Sequence, residues 1–293
     1  MLARLKRNTW RTKEYIIRDK ILPYFGDKAL SDISPADVLE WQTRLISRAD
    51  PKTGKPYKKT YLRTVNNILS AMLNHAVRFY GLPSNPMKRT GKIGSAKAEE
   101  MKFWTKDEYL RFAEEVMDKP GSFAIFELLY WCGIREGEAL ALMPEDFDFG
   151  KGLLKITKSY QRIDRQDVIT SPKTAKSVRT VTMPDFVAEE LSEYIELEGY
   201  EEGERIFPFG KSYLYHEMDR GCKASGVKRI RVHDLRHSHV SLLIEMGFSV
   251  VAIADRVGHE STDITFRYAH LFPNTQGDMA RKLSQERRQE HER

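Results

Sequence analysis

The sequence predicts a mainly α-helical chain with a small antiparallel β-sheet, arranged as an N-terminal all-helical domain followed by a larger α+β domain. Three observations carry that expectation. Apolar residues recur on the helical period through the first part of the chain. Short β-branched runs joined by polar turns are confined to 152–183. Helical patterning then resumes and continues to the charged C-terminus.

The elements follow in order. An early helix is expected over Thr12–Leu22. Ser34-Pro35-Ala36-Asp37 supplies a cap, a proline at the first helical position and an acid at the third, and Val38, Trp41 and Leu45 form one stripe. Tyr61–Tyr80 is a longer helix, with Leu62, Val65, Ile68, Leu69, Met72, Leu73, Ala76 and Val77 on the helical period. After Gly81 the chain becomes polar, basic and punctuated by Pro and Gly. The expected division is a helical domain over 1–85, a linker over 86–100 and a second domain over 101–293. Thr105-Lys106-Asp107-Glu108 is a second capping box opening a helix to about Met117, and a mostly buried helix is expected from Ser122 to Gly133. Strands are expected at 153–157, 167–170 and 178–182. Helices follow at 184–198, 211–224, 233–246, 249–257, 261–268 and after Pro273.

At 293 residues, 41% hydrophobic and 31% charged, the chain can bury two ordinary cores and reads as soluble, not as a membrane protein. The longest apolar stretch, Phe123–Ile134, carries Glu127 and is too short to span a bilayer. Arg4, Lys6 and Arg7 are not followed by the apolar core of a secretory signal. Cys132 and Cys222 are far apart and match no metal-ligand spacing, so a reduced, cytoplasmic setting is expected. Charge is uneven: residues 1–100 hold 20 Lys/Arg against 9 Asp/Glu. No acid occurs within 51–98, where Lys52, Lys55, Lys58, Lys59, Arg63, Lys88, Arg89 and Lys92 are among ten bases. A single-sign stretch costs self-repulsion, and its usual reason is a polyanion whose released counterions supply affinity. Double-stranded DNA is the expected partner.

Four features carry the chemistry. They are Gly133-Ile134-Arg135-Glu136-Gly137-Glu138, Pro172-Lys173-Thr174-Ala175-Lys176-Ser177, His233-Asp234-Leu235-Arg236-His237, and Gly258-His259 with Tyr268 nine positions later. Singly each has an ordinary explanation, such as a capping arginine or a half-buried aromatic. Together they suit attack on a phosphodiester, whose transition state gains negative charge that needs a metal ion or paired guanidiniums. Arg135 and Arg236 can bind it through planar, always-charged forks. His233, one turn before Arg236, and His259 can donate or exchange a proton near neutral pH. Lys173 on its turn can protonate a departing 5′-oxygen. Tyr268 is then the nucleophile, its phenol made competent by nearby cations and a base.

This constellation resembles the tyrosine recombinase (phage integrase) family. The resemblance rests on Arg135 with Glu138, on Lys173-Thr174 with Ser177 and Arg179, on His233, Arg236 and His237, and on Gly258-His259 with Tyr268 and His270. It implies a helical core-binding domain and an α+β catalytic domain. It implies that Arg135, Lys173, His233, Arg236, His259 and Tyr268 are catalytic, with Glu138 and His237 supporting, and that Tyr268 forms a 3′-phosphotyrosyl intermediate without cofactor or metal. It also implies integration and excision of a mobile element of the conjugative-transposon or temperate-phage kind, with two domains clamping DNA. The expected partners are a homo-tetramer in the synapse, built with the charged tail helix docking on a neighbour, and an excisionase or DNA-bending accessory protein. Arg179 joins Lys52, Lys55, Lys58, Lys59, Arg63, Lys88, Arg89 and Lys92 as expected DNA contacts. The family's N-terminal arm-binding domain is expected to be absent or trimmed. Val257 stands where leucine is commoner, and Lys176 competes with Lys173 for the lysine's role.

Three alternatives remain open on sequence. A zinc hydrolase could use His233 and His237, although Asp234 is a methylene short of the usual glutamate and Arg236 would sit beside the metal. A DNA-binding regulator explains the basic stretch but not the ordered set of reactive residues. A type IB-like topoisomerase would share the chemistry.

Overall fold

Arg7 starts a helical run that reaches Phe25 in three pieces: α1 (Arg7–Ile16), a π-helical turn (Ile17–Ile21) and α2 (Leu22–Phe25). The helix expected over Thr12–Leu22 therefore extends further at both ends. Pro23 has no N–H to return to the preceding turn. The Lys20 carbonyl accepts the Trp41 indole N–H at 2.8 Å. Trp41 lies on α3 (Pro35–Ser47), whose start is the expected capping box: Ser34 Oγ accepts from Asp37 N–H and the Asp37 carboxylate accepts from Ser34 N–H. α4 (Lys59–Phe79) lays Leu62, Val65, Leu69, Leu73 and Ala76 into a core shared with Ile16, Ile21, Val38 and Trp41. Burial of each such side chain contributes about 1.5–3 kcal/mol. Val77 falls off that stripe and faces outward.

Much of the expected linker is not a tether. Its Met87 is buried in the same core as Leu82 just before it, and opens a short α5 (Met87–Thr90). The buried Asn85 amide donates to Asn74 Oδ1 at 2.8 Å, and Ser95 N–H donates to the Lys59 carbonyl at 3.1 Å. Few apolar anchors in a polar, glycine-rich text were enough to hold it. The computed structural model divides into two compact units, residues 1–100 and 101–293. It describes residues 7–51, 53–95, 101–172, 175–259, 268, 280, 281 and 285. Lys52, Lys173, Thr174, His270, the helix expected at 261–268 (Tyr268 apart) and most of the tail helix lie outside the described residues.

The second unit opens with α6 (Lys106–Glu114), capped by Thr105 and Glu108 as expected. α7 (Pro120–Trp131) is buried almost all round. It packs against α6, the single turn α8 (Glu136–Ala139) and two later helices, α9 (Asp185–Glu198) and α11 (Asp234–Glu245). Between α8 and α9 lie β1 (Phe147–Asp148), β2 (Leu153–Ile156), β3 (Ser159–Ile163), β4 (Gln166–Thr170) and β5 (Arg179–Thr182). Strands β1, β2 and β5 form one antiparallel sheet, with Leu154 opposite Val181 and Ile156 opposite Arg179. Strands β3 and β4 form a separate hairpin, turned by Asp164 and Arg165 at φ 54° and 65°. β3 and the two-residue β1 are the strands the pattern did not announce. α10 (Lys211–Ser225) and α12 (Val250–Val257) complete the unit. The fold is thus mainly helical with a small antiparallel β component. Among the described residues no helix is long and apolar enough to cross a membrane.

Candidate active site

The site is organised by the end of α12. Gly258 sits at φ 65°, ψ 53°, a left-handed conformation that glycine adopts without a Cβ penalty. Its N–H donates to the Asp255 carbonyl at 3.0 Å, and His259 N–H donates to the Ala254 carbonyl at 2.9 Å. A helix end leaves its last carbonyls without intrahelical partners. This turn satisfies Ala254 and Asp255, and the next three carbonyls each take an arginine. Arg179 Nε donates to Arg256 O at 3.1 Å, Arg236 Nη2 to Val257 O, and Arg135 Nη2 to Gly258 O at 3.0 Å. The negative end of the helix dipole favours cations there. A Cβ at Gly258 would lie 2.9 Å from both Arg179 Cδ and the Lys176 carbonyl, which explains the glycine.

Glu138 closes the cluster from the other side. Its carboxylate accepts from Arg135 Nη1 at 2.6 Å, from Arg135 N–H at 2.9 Å and from Arg179 Nη2 at 3.0 Å. Burial alone would raise its pKa, but Arg179 and Arg135 hold it below the ordinary carboxylate value. Arg236 also donates through Nη1 to the Gly133 carbonyl at 2.7 Å. Burial, then Arg135 and Arg179, push Arg236 down to about 9, so it remains a cation at neutral pH. The sequence brought these two guanidiniums together on chemical grounds; the structure places them on adjacent carbonyls, with Arg236 3% exposed and the Arg135 side chain 34% exposed.

Tyr268 is 2% exposed and packs with Val240, Ile244, Ile253 and Val257. Its hydroxyl is hydrogen-bonded to His237 Nδ1. His233 stands just before α11, one turn earlier, its ring edge-on to that of His237 with centroids 5.3 Å apart. Burial and then His233 push His237 down to about 4, while burial and then Arg236 push His259 down to about 3. His233 is lowered too, by crowding from surrounding protein and by Arg236. At neutral pH the imidazoles beside the arginines are therefore uncharged, each with a ring nitrogen able to accept a hydrogen bond. Asp234, the acid of the zinc-hydrolase alternative, is engaged by Arg231 at Nε and Nη2, the latter at 2.7 Å. Among the described residues no group of three or more His, Cys, Asp or Glu is disposed to hold a metal ion.

Two readings change. Arg179, expected to touch DNA, has a side chain only 7% exposed and gives its N–H groups to Glu138, Ser177 O and Arg256 O, because the end of β5 points it inward. His237, expected only as support, holds the tyrosine's hydroxyl. Sequence reasoning passed over His239 and Arg256 altogether. The remaining basic residues stand in the first unit. Lys55, Lys58, Lys59, Lys88, Arg89 and Lys92 are exposed, and Arg63 is half-buried. Lys58 and Lys59 sit at the start of α4, whose first turn holds no acid. The helix dipole disfavours cations at that end, and it favours a bound anion. Contacts from Ser95 to Lys59 and from Gln42 to Gly91 bring the segment bearing Lys92 to the same region.

Comparison with known proteins now identifies the family. Residues 102–275 match the phage integrase family, and residues 1–46 match the phage integrase N-terminal SAM-like domain. The chain is 32% identical over 95% of its length to the ICEBs1 integrase of Bacillus subtilis (strain 168), covering 78% of that protein. It shares a fold with the Tn1549 transposon integrase solved in complex with a circular intermediate DNA, at TM-score 0.76 and 18% identity over 97% of this chain and 95% of that one. It also shares one with a lambda integrase tetramer bound to a Holliday junction, at TM-score 0.63 and 21% identity over 89% and 71% of the two chains. An arginine pair seated on one helix end, a buried tyrosine beside it and these matches lead to one conclusion: the chain belongs to the phage integrase family.

Proposed function

We propose that this protein is a site-specific DNA recombinase that cuts and rejoins strands through a covalent link to Tyr268, carrying a mobile element into and out of a larger DNA. The observation that carries the reading is the Tyr268 hydroxyl held by His237 at the edge of the Arg135–Arg236–His259 cluster. Tyr268 Oη attacks the scissile phosphorus and passes its proton to the neutral His237 Nδ1. The bond from phosphorus to the 5′-oxygen breaks, leaving a 3′-phosphotyrosine, and Lys173 supplies the proton to the departing oxygen. Arg135 and Arg236 bind the non-bridging oxygens as negative charge builds, with His233 and His259 adding neutral donors. Attack by the 5′-hydroxyl of a partner strand reverses each step and regenerates Tyr268.

Residues 1–85 act in this reading as the core-site-binding domain and 101–293 as the catalytic domain, with the lysines near the start of α4 contacting phosphates. The relative in Bacillus subtilis is named an integrase of ICEBs1, which supports a mobile-element role. The lambda integrase solved as a tetramer on a Holliday junction supports a tetrameric synapse here. An excisionase or DNA-bending protein assists, and the setting is the bacterial cytoplasm. A nicked DNA carrying the core site tests the proposal, because loss of the short cleaved fragment traps the intermediate. Wild-type protein becomes covalently attached; Tyr268→Phe binds the same DNA without attachment. Attachment by Tyr268→Phe rules the proposal out. Strand exchange between two sites, as against relaxation of one supercoiled circle, separates a recombinase from a topoisomerase.

A further inference from the structure

Arg256 and His239 both touch the elements that hold the arginine cluster. Arg256 projects from the last turn of α12, and its guanidinium joins three other elements. Nη1 donates to the Thr182 carbonyl at 3.1 Å, Nη2 to the Trp131 carbonyl at 3.3 Å, and Nε to His239 Nε2 at 3.2 Å. One side chain thereby ties the ends of β5 and α7 and the middle of α11 to the turn whose carbonyls seat Arg179, Arg236 and Arg135. His239 is 2% exposed. Its ring lies against Gly133 so closely that a Cβ there would come 2.3 Å from His239 Cδ2. Gly133 is the residue whose carbonyl takes the second N–H of Arg236. Both carbonyls that orient Arg236 are therefore set by this pair, one through α12 and one through direct packing.

We infer that His239 and Arg256 are positioning residues for strand cleavage, a buried acceptor and a half-buried guanidinium that together set the direction of Arg236 and its spacing from Arg135. The inference rests on the reading of Arg135 and Arg236 as the phosphate-binding groups. Neither His239 nor Arg256 touches DNA in this account, so their loss should move the chemical step and leave affinity alone. The neutral state of His239, which burial and Arg256 push down to about 3, keeps Nε2 available as an acceptor. A glutamine oxygen can replace that acceptor, whereas phenylalanine fills the space without one.

The test is single-turnover cleavage of the nicked core-site DNA by the full chain, with DNA affinity and thermal melting measured in parallel. His239→Phe and Arg256→Lys should bind DNA within about twofold of wild type and cleave about 10–100-fold more slowly, the loss expected from small misplacement of reacting groups. His239→Gln should recover most of that rate. Replacing the scissile phosphate by a neutral methylphosphonate should shrink the deficit of both slow variants, because less charge then needs stabilising. Wild-type cleavage by His239→Phe and Arg256→Lys overturns the inference. So does a loss in which affinity, melting and cleavage fall together and the methylphosphonate restores nothing. If His239→Phe does not fold, the phosphate-to-methylphosphonate ratio of Arg256→Lys decides alone. Attachment by Tyr268→Phe would instead remove the underlying reading, a result separable from either of these.

Discussion

Arg135 Nη2 donates to the carbonyl of Gly258 at 3.0 Å, so the residue that turns the chain out of α12 also aims one of the two guanidiniums proposed to bind phosphate. Gly258 does this in a left-handed conformation and within a space that admits no side chain. The Gly-His pair is thus a device for seating cations on a helix end, and His259 follows into the site because the same turn delivers it.

Gly258→Ala should disturb that seat. The added methyl meets Arg179 Cδ and the Lys176 carbonyl at 2.9 Å, and the backbone must hold φ near +65°. Strain of this kind costs about 1–3 kcal/mol. Denaturant unfolding should show a loss of that size, and cleavage of nicked DNA should fall at least about tenfold, as misplaced reacting groups imply.

Arg135→Lys should bind DNA normally and cleave poorly. An ammonium cannot hold Glu138, the Gly258 carbonyl and a phosphate oxygen at once, as the fork does. A drop in single-turnover rate of about 10²–10³ is expected, comparable to losing one oxyanion donor. A wild-type rate would remove Arg135 from the cluster's chemistry.

Acid should destabilise the protein before its ordinary carboxylates titrate. His237 is held at about 4 and His239 and His259 at about 3, against an ordinary 6.5, so the unfolded chain takes up protons first as pH falls. Stability contributed by their neutral forms is complete above 6.5 and declines towards the folded values, by roughly 2 kcal/mol per imidazole at pH 5. Glu127, raised to about 7 by burial, works in the opposite sense and offsets about one of them. Denaturant midpoints at pH 7.5 and 5 measure the net loss. Cleavage by the DNA-bound protein should meanwhile stay flat from pH 8 to 6, since His237 is neutral throughout. A step centred near 6.5 would assign the proton acceptor elsewhere.

Exposed lysines of the first unit should act through phosphates. Lys55→Gln, Lys59→Gln and Lys88→Gln should each weaken binding to specific and unrelated DNA alike. Each should also lower the slope of log affinity against log salt by about 0.9. An unchanged slope would place the DNA on another face.

The contacts of the candidate site were readable from sequence where the residues lie in short motifs. Arg135 and Glu138 are three apart on one turn, so local geometry guarantees their contact. The capping boxes at Ser34 and Thr105 were readable for the same reason. What escaped depends on distance in the chain. His239 and Arg256 meet across 17 positions, and nothing in either neighbourhood distinguishes an inward-facing ring from another helical residue. Arg179 resembled a surface cation because its strand is short and polar, and only the pairing of Ile156 with Arg179 shows that its side chain turns inward. The β3 strand escaped because Gln161 and Arg162 interrupt its apolar residues, while Tyr160 and Ile163 are buried. The expected linker hid an apolar anchor, Met87, among prolines, glycines and bases, with Leu82 buried just ahead of it.

Everything proposed for this chain requires one covalent bond, between the Tyr268 oxygen and a DNA 3′-phosphate. Digestion of the complex trapped on nicked DNA, followed by mass spectrometry, reads that bond at a single residue. The expected result is one peptide, spanning residue 268, that carries the nucleotide mass on its tyrosine. A nucleotide attached to any other residue, or cleaved DNA with no peptide attached, would contradict it.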